Sequence, residues 1–124
     1  MRMTVSMAVG MCLLLIGTAC SRKEHKFDKF AQCLSQKGAT MYGAYWCPHC
    51  KDQKDEFGES FKYIHYVECS IPGESPRIQA EACKAKDVKQ YPTWFFSDGT
   101  RIDGIESMQQ LADRTGCPAP PPEQ

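Results

Sequence analysis

The sequence predicts an α/β domain in which helices flank a central mixed four-stranded sheet. Strand-like and helix-like segments alternate through the first half, and a hairpin pattern followed by a helix ends the second half, which gives the order α-β-α-β-α-β-β-α. Alternation favours parallel strands, and a hairpin adds an antiparallel edge. The 124 residues suffice for one modest hydrophobic core, so we expect one domain over residues 27–117, with no internal repeat.

Residues 1–19 have the pattern of a secretory signal. Arg2 precedes an apolar run at residues 7–16, and small residues follow at 17–19. A positive start, an apolar stretch and small residues before a cleavage site are typical of such signals. The run is shorter than the roughly 20 apolar residues that span a membrane. We therefore expect export, with residues 1–19 outside the folded domain.

Cys20 ends this segment in a second recognisable pattern. Residues 16–20, Ile-Gly-Thr-Ala-Cys, resemble the lipobox of bacterial lipoproteins, although that motif usually has Leu where this chain has Gly17. The resemblance implies lipidation of Cys20, and Ser21 beside it favours the outer membrane. Ordinary cleavage after Ala19 and an uncleaved anchor are the alternatives. We expect a protein of the bacterial periplasm or cell envelope, held to the membrane by a lipid anchor.

The charge of the chain excludes some classes of partner. Fifteen basic and fifteen acidic side chains give a formal net charge of zero, and residues 1–19 contain only one of them, Arg2. Such a surface has no strong field to attract nucleic acid. We expect no nucleic-acid partner.

The first helix and strand follow a short polar tether at residues 20–26. Helical spacing of apolar residues begins at Phe27 and continues to Leu34, and Gly38 is a plausible end of this helix. Residues 40–45 are uncharged and are typical of a buried strand.

A second helix is predicted to begin at the Cys47-Pro48 step, because proline suits the first helical turn. Gly58 is expected to end or bend it. One face of this helix carries Cys50, Lys54, Phe57 and Phe61.

The next strand and helix follow the same alternation. Residues 63–69 are rich in β-branched and aromatic side chains, which favours a strand. Ser75 is a good N-cap and Pro76 a good first helical residue, so we predict a third helix from this point to about Val88.

The last part of the chain contains a hairpin and a capped helix. Residues 93–96 and 101–105 flank an Asp-Gly pair, which tolerates the positive φ angles of a tight turn. Ser107 and Gln110 can form a capping box for a final helix that ends at Gly116. The Pro-rich residues 118–124 are expected to be a disordered tail.

Eight cysteines are a high number for so short a chain. Even numbers of cysteines in exported domains indicate disulfides, but six cysteines allow many pairings and spacing alone does not choose among them. A bridge between Cys33 and Cys117 would close the two ends of the domain, and free thiols are the alternative. Besides Cys12 and Cys20, the six are Cys33, Cys47, Cys50, Cys69, Cys83 and Cys117.

The motif Cys47-Pro48-His49-Cys50 at a strand-to-helix junction predicts a redox centre. Unpaired backbone N–H groups and the helix dipole at a helix N-terminus favour thiolate, which is the attacking species in disulfide exchange. Cys47 would attack, or be attacked by, a partner's sulfur to form a mixed disulfide, and the more buried Cys50 would resolve it. Pro48 pre-shapes the turn and His49 would further stabilise the thiolate, which makes the disulfide a stronger oxidant.

Two other interpretations of the Cys pair are a metal site for zinc or copper and an inert structural disulfide. The chain has no second Cys-x-x-Cys, and the existing one lies where a helix begins. These features favour redox catalysis.

Longer strings around this motif resemble a known family. Residues 46–50, Trp-Cys-Pro-His-Cys, with Tyr-Pro-Thr at 91–93, resemble the thioredoxin superfamily. The fuller strings at 41–50, 66–69 and 91–94 are similar to the thioredoxin-like domain found fused to, or working beside, bacterial and plant homologues of vitamin K epoxide reductase. The resemblance covers nearly all of residues 27–117.

The resemblance implies a thioredoxin-like fold and roles for several residues. Pro92 would be a cis-proline that faces the Cys pair, and the backbone of Tyr91 would bind the substrate chain, with Trp46 beside the site. It also implies a structural disulfide between Cys69 and Cys83, for which two buried free thiols are the alternative.

One departure concerns the base of the site. Thioredoxins carry a buried Asp where this chain has Met41, so the proton acceptor for the resolving cysteine is absent at that position. Help from a base must then come from elsewhere or from water, which weakens the interpretation as a thioredoxin-like reductase.

We therefore expect a thiol–disulfide oxidoreductase that oxidises protein thiols without a cofactor. The resemblance implies re-oxidation by a separate membrane homologue of vitamin K epoxide reductase. A disulfide reductase or isomerase and a metal-handling lipoprotein are the rival interpretations.

Overall fold

The computed structural model describes residues 23–122, so the predicted signal and Cys20 lie outside the described residues. The order of elements confirms the predicted α-β-α-β-α-β-β-α, and a 3₁₀ helix at Gly58–Tyr63 follows the second helix. The elements are α1 Asp28–Gln36, β1 Thr40–Gly43, α2 Pro48–Phe57, β2 His65–Glu68, α3 Glu81–Ala85, β3 Thr93–Phe95, β4 Arg101–Asp103 and α4 Met108–Thr115.

The four strands form one mixed sheet, as predicted, and their order in the sheet is β2-β1-β3-β4. β1 and β2 are parallel, with Thr40 opposite His65 and Gly43 opposite Glu68. β1 pairs antiparallel with β3, and β3 pairs antiparallel with β4. This register brings the end of β2 beside the end of β1, directly before α2.

Each face of the sheet covers its own hydrophobic cluster. Successive side chains of a strand point to opposite faces. Met41 of β1 therefore packs with Trp94, Leu34 and Leu111 in the larger cluster, while Tyr42 packs in a smaller cluster with Val88. Helices α1, α2 and α4 supply the larger cluster, and α3 supplies the smaller one.

The predicted start of the third helix is wrong. Residues 75–80 form a turn followed by extended chain, and α3 begins only at Glu81, with Ala80 extended before it. Tertiary contacts of Gln79 are the reason. Its backbone forms an isolated antiparallel β-bridge with Ser70, and its side-chain Nε2 donates to the carbonyl oxygen of Val88 at 2.9 Å. These contacts require extended backbone where local capping signals favour helix, and Ile78 is left 42% exposed.

Four other local signals are confirmed. Ser107 and Gln110 form the predicted capping box, and Gly116 ends α4 with a φ of 74°. Gly99 takes the positive φ of the hairpin turn. Gly58, with a φ of 53°, ends α2 before the 3₁₀ helix that contains Phe61.

Among residues 23–122, no helix is both long enough and apolar enough to cross a membrane. Residues 117–122 contain no helix or strand.

Candidate active site

Cys47 caps the N-terminus of α2, and Pro48 is the first residue of the helix. The Cys47 N–H donates to the carbonyl oxygen of Ala44 at 3.0 Å, and the Lys51 N–H donates to the carbonyl oxygen of Cys47 at 3.1 Å. These bonds fix the turn between β1 and α2. They place the first sulfur where the helix dipole and unpaired N–H groups favour negative charge.

Four of the six domain cysteines form disulfides. Cys33 of α1 is bonded to Cys117 after α4, and Cys69 after β2 is bonded to Cys83 of α3. Among the described residues, only Cys47 and Cys50 are free thiols. The fold thus separates two structural bridges from one pair of neighbouring thiols.

The Tyr91–Pro92 peptide bond is cis and faces Cys47. The Cys47 thiol donates to the carbonyl oxygen of Tyr91, with the sulfur 3.6 Å from it. The Trp46 ring packs edge-on against the Tyr91 ring at 5.9 Å between centroids and remains 43% exposed. The structure therefore brings Trp46, Cys47, Tyr91 and Pro92 together, as the family resemblance implies.

A cleft of about 530 Å³ opens beside Cys47. Trp46, Gln79 and Tyr91 line it, together with the basic side chains of Arg77 and Lys89. A larger cleft, about 890 Å³, lies between α2, α4 and residues 119–122, and its lining contains neither free cysteine. Of these two clefts, only the smaller one gives a substrate access to Cys47.

Cys50 lies deeper than Cys47. It is 1% exposed, whereas Cys47 is 7% exposed. Burial raises the pKa of the Cys50 thiol to about 12; a backbone hydrogen bond with Ala44 opposes this rise, and the neighbouring Cys47 thiol adds to it. Cys50 is therefore protonated at neutral pH in the reduced state.

The raised pKa of Cys50 predicts that the reduced protein loses stability at alkaline pH. The pKa is 9.0 ordinarily and about 12 in the fold, so the folded state binds the proton more tightly. The protonated Cys50 thiol therefore contributes to the free energy of unfolding in full below pH 9, and this contribution is lost as the pH rises towards 12. The free energy of unfolding in urea, measured on the reduced chain at several pH values across this interval, should fall more steeply with pH than that of the Cys50→Ala variant. Parallel curves for the two proteins would contradict the assignment.

His49 is exposed and makes no side-chain hydrogen bond within the described part of the chain. Its predicted influence on the Cys47 thiolate stays a prediction. Met41, at the position where thioredoxins carry a buried Asp, is completely buried in the larger cluster. That side of the site therefore offers no proton acceptor.

Sequence reasoning missed a second group of residues next to Cys50. A methyl group placed on Gly43 would lie 2.7 Å from Cys50 Sγ and 3.2 Å from the Tyr66 hydroxyl oxygen, so only glycine fits between them. The Tyr66 hydroxyl donates to Glu68 Oε2 at 2.8 Å. Tyr66 and Glu68 are two residues apart on β2 and so share a face, which was the available signal.

The described residues contain no group of three or more His, Cys, Asp or Glu side chains placed to hold a metal ion. The chemistry that this arrangement supports directly is that of the two sulfurs.

Comparison with known proteins finds oxidoreductases of thiols and disulfides. A thiol-disulfide oxidoreductase of Arabidopsis thaliana, LTO1, is 40% identical over 88 residues, covering 69% of this chain and 23% of the plant protein. Protein disulfide-isomerase A5 of Mus musculus is 30% identical over 86 residues, covering 64% of this chain and 17% of that protein. The Bos taurus protein of the same name is 30% identical over 74 residues, covering 56% and 14%. No family model matches the chain.

The chain spans less than a quarter of the length of each of these relatives. The likeness therefore concerns a part of each relative. With the observed α/β fold, these relatives support a place for the chain in the thioredoxin-like superfamily.

Proposed function

We propose that this thioredoxin-like chain is a thiol–disulfide oxidoreductase in which Cys47 and Cys50 exchange a disulfide with protein thiols. One observation carries the proposal: they are the only free thiols among the described residues, and Cys47 caps a helix opposite a cis-proline. The names of the plant and mammalian relatives support the same chemistry.

Disulfide donation takes two exchange steps. A substrate thiolate attacks Cys47 Sγ of the oxidised pair, the Cys47–Cys50 bond breaks, and Cys50 leaves as a thiolate that takes up a proton. A second substrate thiolate then attacks the substrate sulfur of the mixed disulfide and releases the Cys47 thiolate. The substrate loses two electrons and gains a disulfide, and the enzyme pair is reduced to two thiols.

The cleft beside Cys47 suits a protein substrate. The Tyr91 carbonyl oxygen is within reach of Cys47 Sγ, and backbone at this position can pair with an extended substrate chain as a strand edge would. The exposed Trp46 ring adds apolar surface beside it. A peptide laid across Tyr91 would bring its cysteine against Cys47 Sγ.

A direct test uses a reduced, unfolded protein that contains several cysteines. Incubation with the oxidised chain should transfer one disulfide per enzyme molecule, counted by thiol alkylation and mass spectrometry. The Cys47→Ser/Cys50→Ser double variant keeps both structural disulfides and serves as the control. Equal oxidation by the double variant would contradict the proposal.

The proposed direction is oxidation of substrates, with re-oxidation by a membrane homologue of vitamin K epoxide reductase. Two observations support this assignment: the site has Met41 in place of a buried carboxylate, and its motif strings resemble the domain that works with such reductases. Reconstitution with a quinone-linked homologue should allow repeated turnover of the chain. Turnover that stops after one disulfide per chain would contradict this partner.

The proposed location is the bacterial cell envelope, with a lipid anchor at Cys20. The pattern of residues 2–20 supports it. Expression in a bacterium with labelled palmitate should give a labelled protein in the membrane fraction, and Cys20→Ala should remove the label. A labelled Cys20→Ala variant would contradict the assignment.

Isomerisation is the second candidate, because the mouse and bovine relatives are named protein disulfide-isomerase. An isomerase needs its reduced form to rearrange wrong disulfides. The reduced chain should then recover a substrate with scrambled disulfides faster than the oxidised chain recovers a reduced substrate. The oxidase predicts the reverse order.

A further inference from the structure

Cys50 needs a route for its proton, a requirement that rests on the proposed function. It leaves Cys47 as a thiolate when a mixed disulfide forms, and it must be a thiolate again to close the pair. At 1% exposure its sulfur has little contact with bulk water. Cys47 cannot take the proton in the mixed disulfide, because its sulfur is then bonded to substrate.

Tyr66 packs against the larger cluster, and its hydroxyl lies beside Gly43, as Cys50 Sγ does. Cys50 Sγ and the Tyr66 hydroxyl oxygen both fall within 3.2 Å of the point where a Gly43 methyl group would be. The missing side chain thus leaves one small space that both groups border. Because the Tyr66 O–H donates to Glu68 Oε2, its oxygen lone pairs remain available to accept a proton.

Glu68 leads from the buried Cys50 and the half-buried Tyr66 towards solvent. It is half-buried, and its Oε1 accepts hydrogen bonds from the backbone N–H groups of Tyr45 at 3.1 Å and Ser70 at 2.9 Å. These two bonds hold the carboxylate in place while Oε2 accepts the hydrogen bond of the Tyr66 hydroxyl. Tyr66 and Glu68 therefore connect the sulfur with the surface.

The charged and titratable groups that face Tyr66 come from two elements. Helix α2 and its N-cap contribute Cys47, Cys50 and Lys54, whose Nζ lies 3.9 Å from the Tyr66 ring centroid, and β2 contributes Glu68. Burial and the bond to Glu68 raise the pKa of the Tyr66 hydroxyl, so a free phenolate does not accumulate. When the Tyr66 oxygen takes up a proton, its own hydroxyl proton must therefore move to Glu68 at the same time.

We propose that Tyr66 and Glu68 form the proton relay of Cys50, in place of the carboxylate that thioredoxins carry at the Met41 position. On closure, the Cys50 S–H proton moves to the Tyr66 oxygen as the Tyr66 proton moves to the Glu68 carboxylate. The Cys50 thiolate then attacks Cys47 Sγ and expels the substrate thiolate. The relay runs in reverse when Cys50 leaves, and no electrons pass through it.

The test is the rate at which Cys50 closes a mixed disulfide preformed between Cys47 and a small aromatic thiol, followed by stopped-flow absorbance over a pH series. Tyr66→Phe should slow closure at neutral pH by about a hundredfold, the lower end of the range for general acid–base catalysis. The deficit should shrink as the pH approaches 12, because hydroxide then takes the proton directly. Tyr42→Phe, on the opposite face of the sheet, is the matched control and should close at the wild-type rate.

A second variant separates the relay from packing. Glu68→Gln keeps an acceptor oxygen for the N–H groups of Tyr45 and Ser70 but removes the charge that receives the proton, and it should slow closure with the same pH trend. Wild-type rates and pH profiles in both variants would overturn the relay while leaving disulfide exchange intact. A slowing that is constant across the pH series would also overturn it, because lost packing does not depend on hydroxide. A wild-type chain that never closes the mixed disulfide would instead contradict the proposed function.

Discussion

Cys47→Ser is expected to abolish disulfide exchange, with a loss of about a thousandfold or more in the rate of substrate oxidation. Cys47 is the sulfur at the cleft, 3.6 Å from the Tyr91 carbonyl oxygen, whereas Cys50 is enclosed behind it. A serine hydroxyl cannot form the mixed disulfide. The measurement is the rate of thiol loss in a reduced protein substrate.

Cys50→Ser is the informative partner of this variant. It keeps the attacking Cys47 but cannot close the pair, so mixed disulfides with substrates should accumulate and run as larger species on non-reducing gels. A Cys47→Ser chain that accumulates such species, or that still oxidises substrate at the wild-type rate, would show that the roles of the two cysteines are assigned wrongly.

Removal of the Cys33–Cys117 disulfide is expected to lower the free energy of unfolding more than removal of the Cys69–Cys83 disulfide. Cys33 and Cys117 are 84 residues apart. A cross-link that closes so long a loop lowers the entropy of the unfolded chain and so raises its free energy by about 4.5 kcal/mol. The Cys69–Cys83 bridge spans only 14 residues and corresponds to about 3 kcal/mol. The free energy of unfolding of the two double-alanine variants gives the comparison.

The unfolding experiment needs Cys47 and Cys50 in one redox state throughout. Cys33→Ala/Cys117→Ala should unfold at lower urea concentration than Cys69→Ala/Cys83→Ala. The reverse order would mean that packing around Cys69 and Cys83, both completely buried, outweighs the restriction of the unfolded chain.

Local signals predict parts of the fold correctly where no distant contact opposes them. The capping box of Ser107 and Gln110 and the end of α4 at Gly116 follow from local hydrogen bonds and from the freedom of glycine. The third helix was misplaced because Ser75 and Pro76 carry good local signals. Contacts of Gln79 with Ser70 and Val88, distant in sequence, decide the conformation there.

The candidate site divides in the same way. The Cys pair is visible as a motif at the start of a helix, and Tyr91 and Pro92 enter through the family resemblance. The neighbourhood of Cys50 is not visible, because it depends on the parallel register that sets Gly43 opposite Glu68. A glycine in a short buried strand gives no sign in sequence of which side chains will fill its space.

The reduction potential of the Cys47–Cys50 pair tests the central claim most directly. The chain is equilibrated with glutathione redox buffers, and the fraction of each cysteine in disulfide form is counted by alkylation and mass spectrometry. Disulfide donation predicts one two-electron transition for this pair at roughly −120 to −180 mV, with both structural bridges unchanged. A potential near about −270 mV would contradict donation and assign the chain as a reductase. A pair that stays oxidised below about −300 mV would be a structural disulfide and would contradict exchange itself.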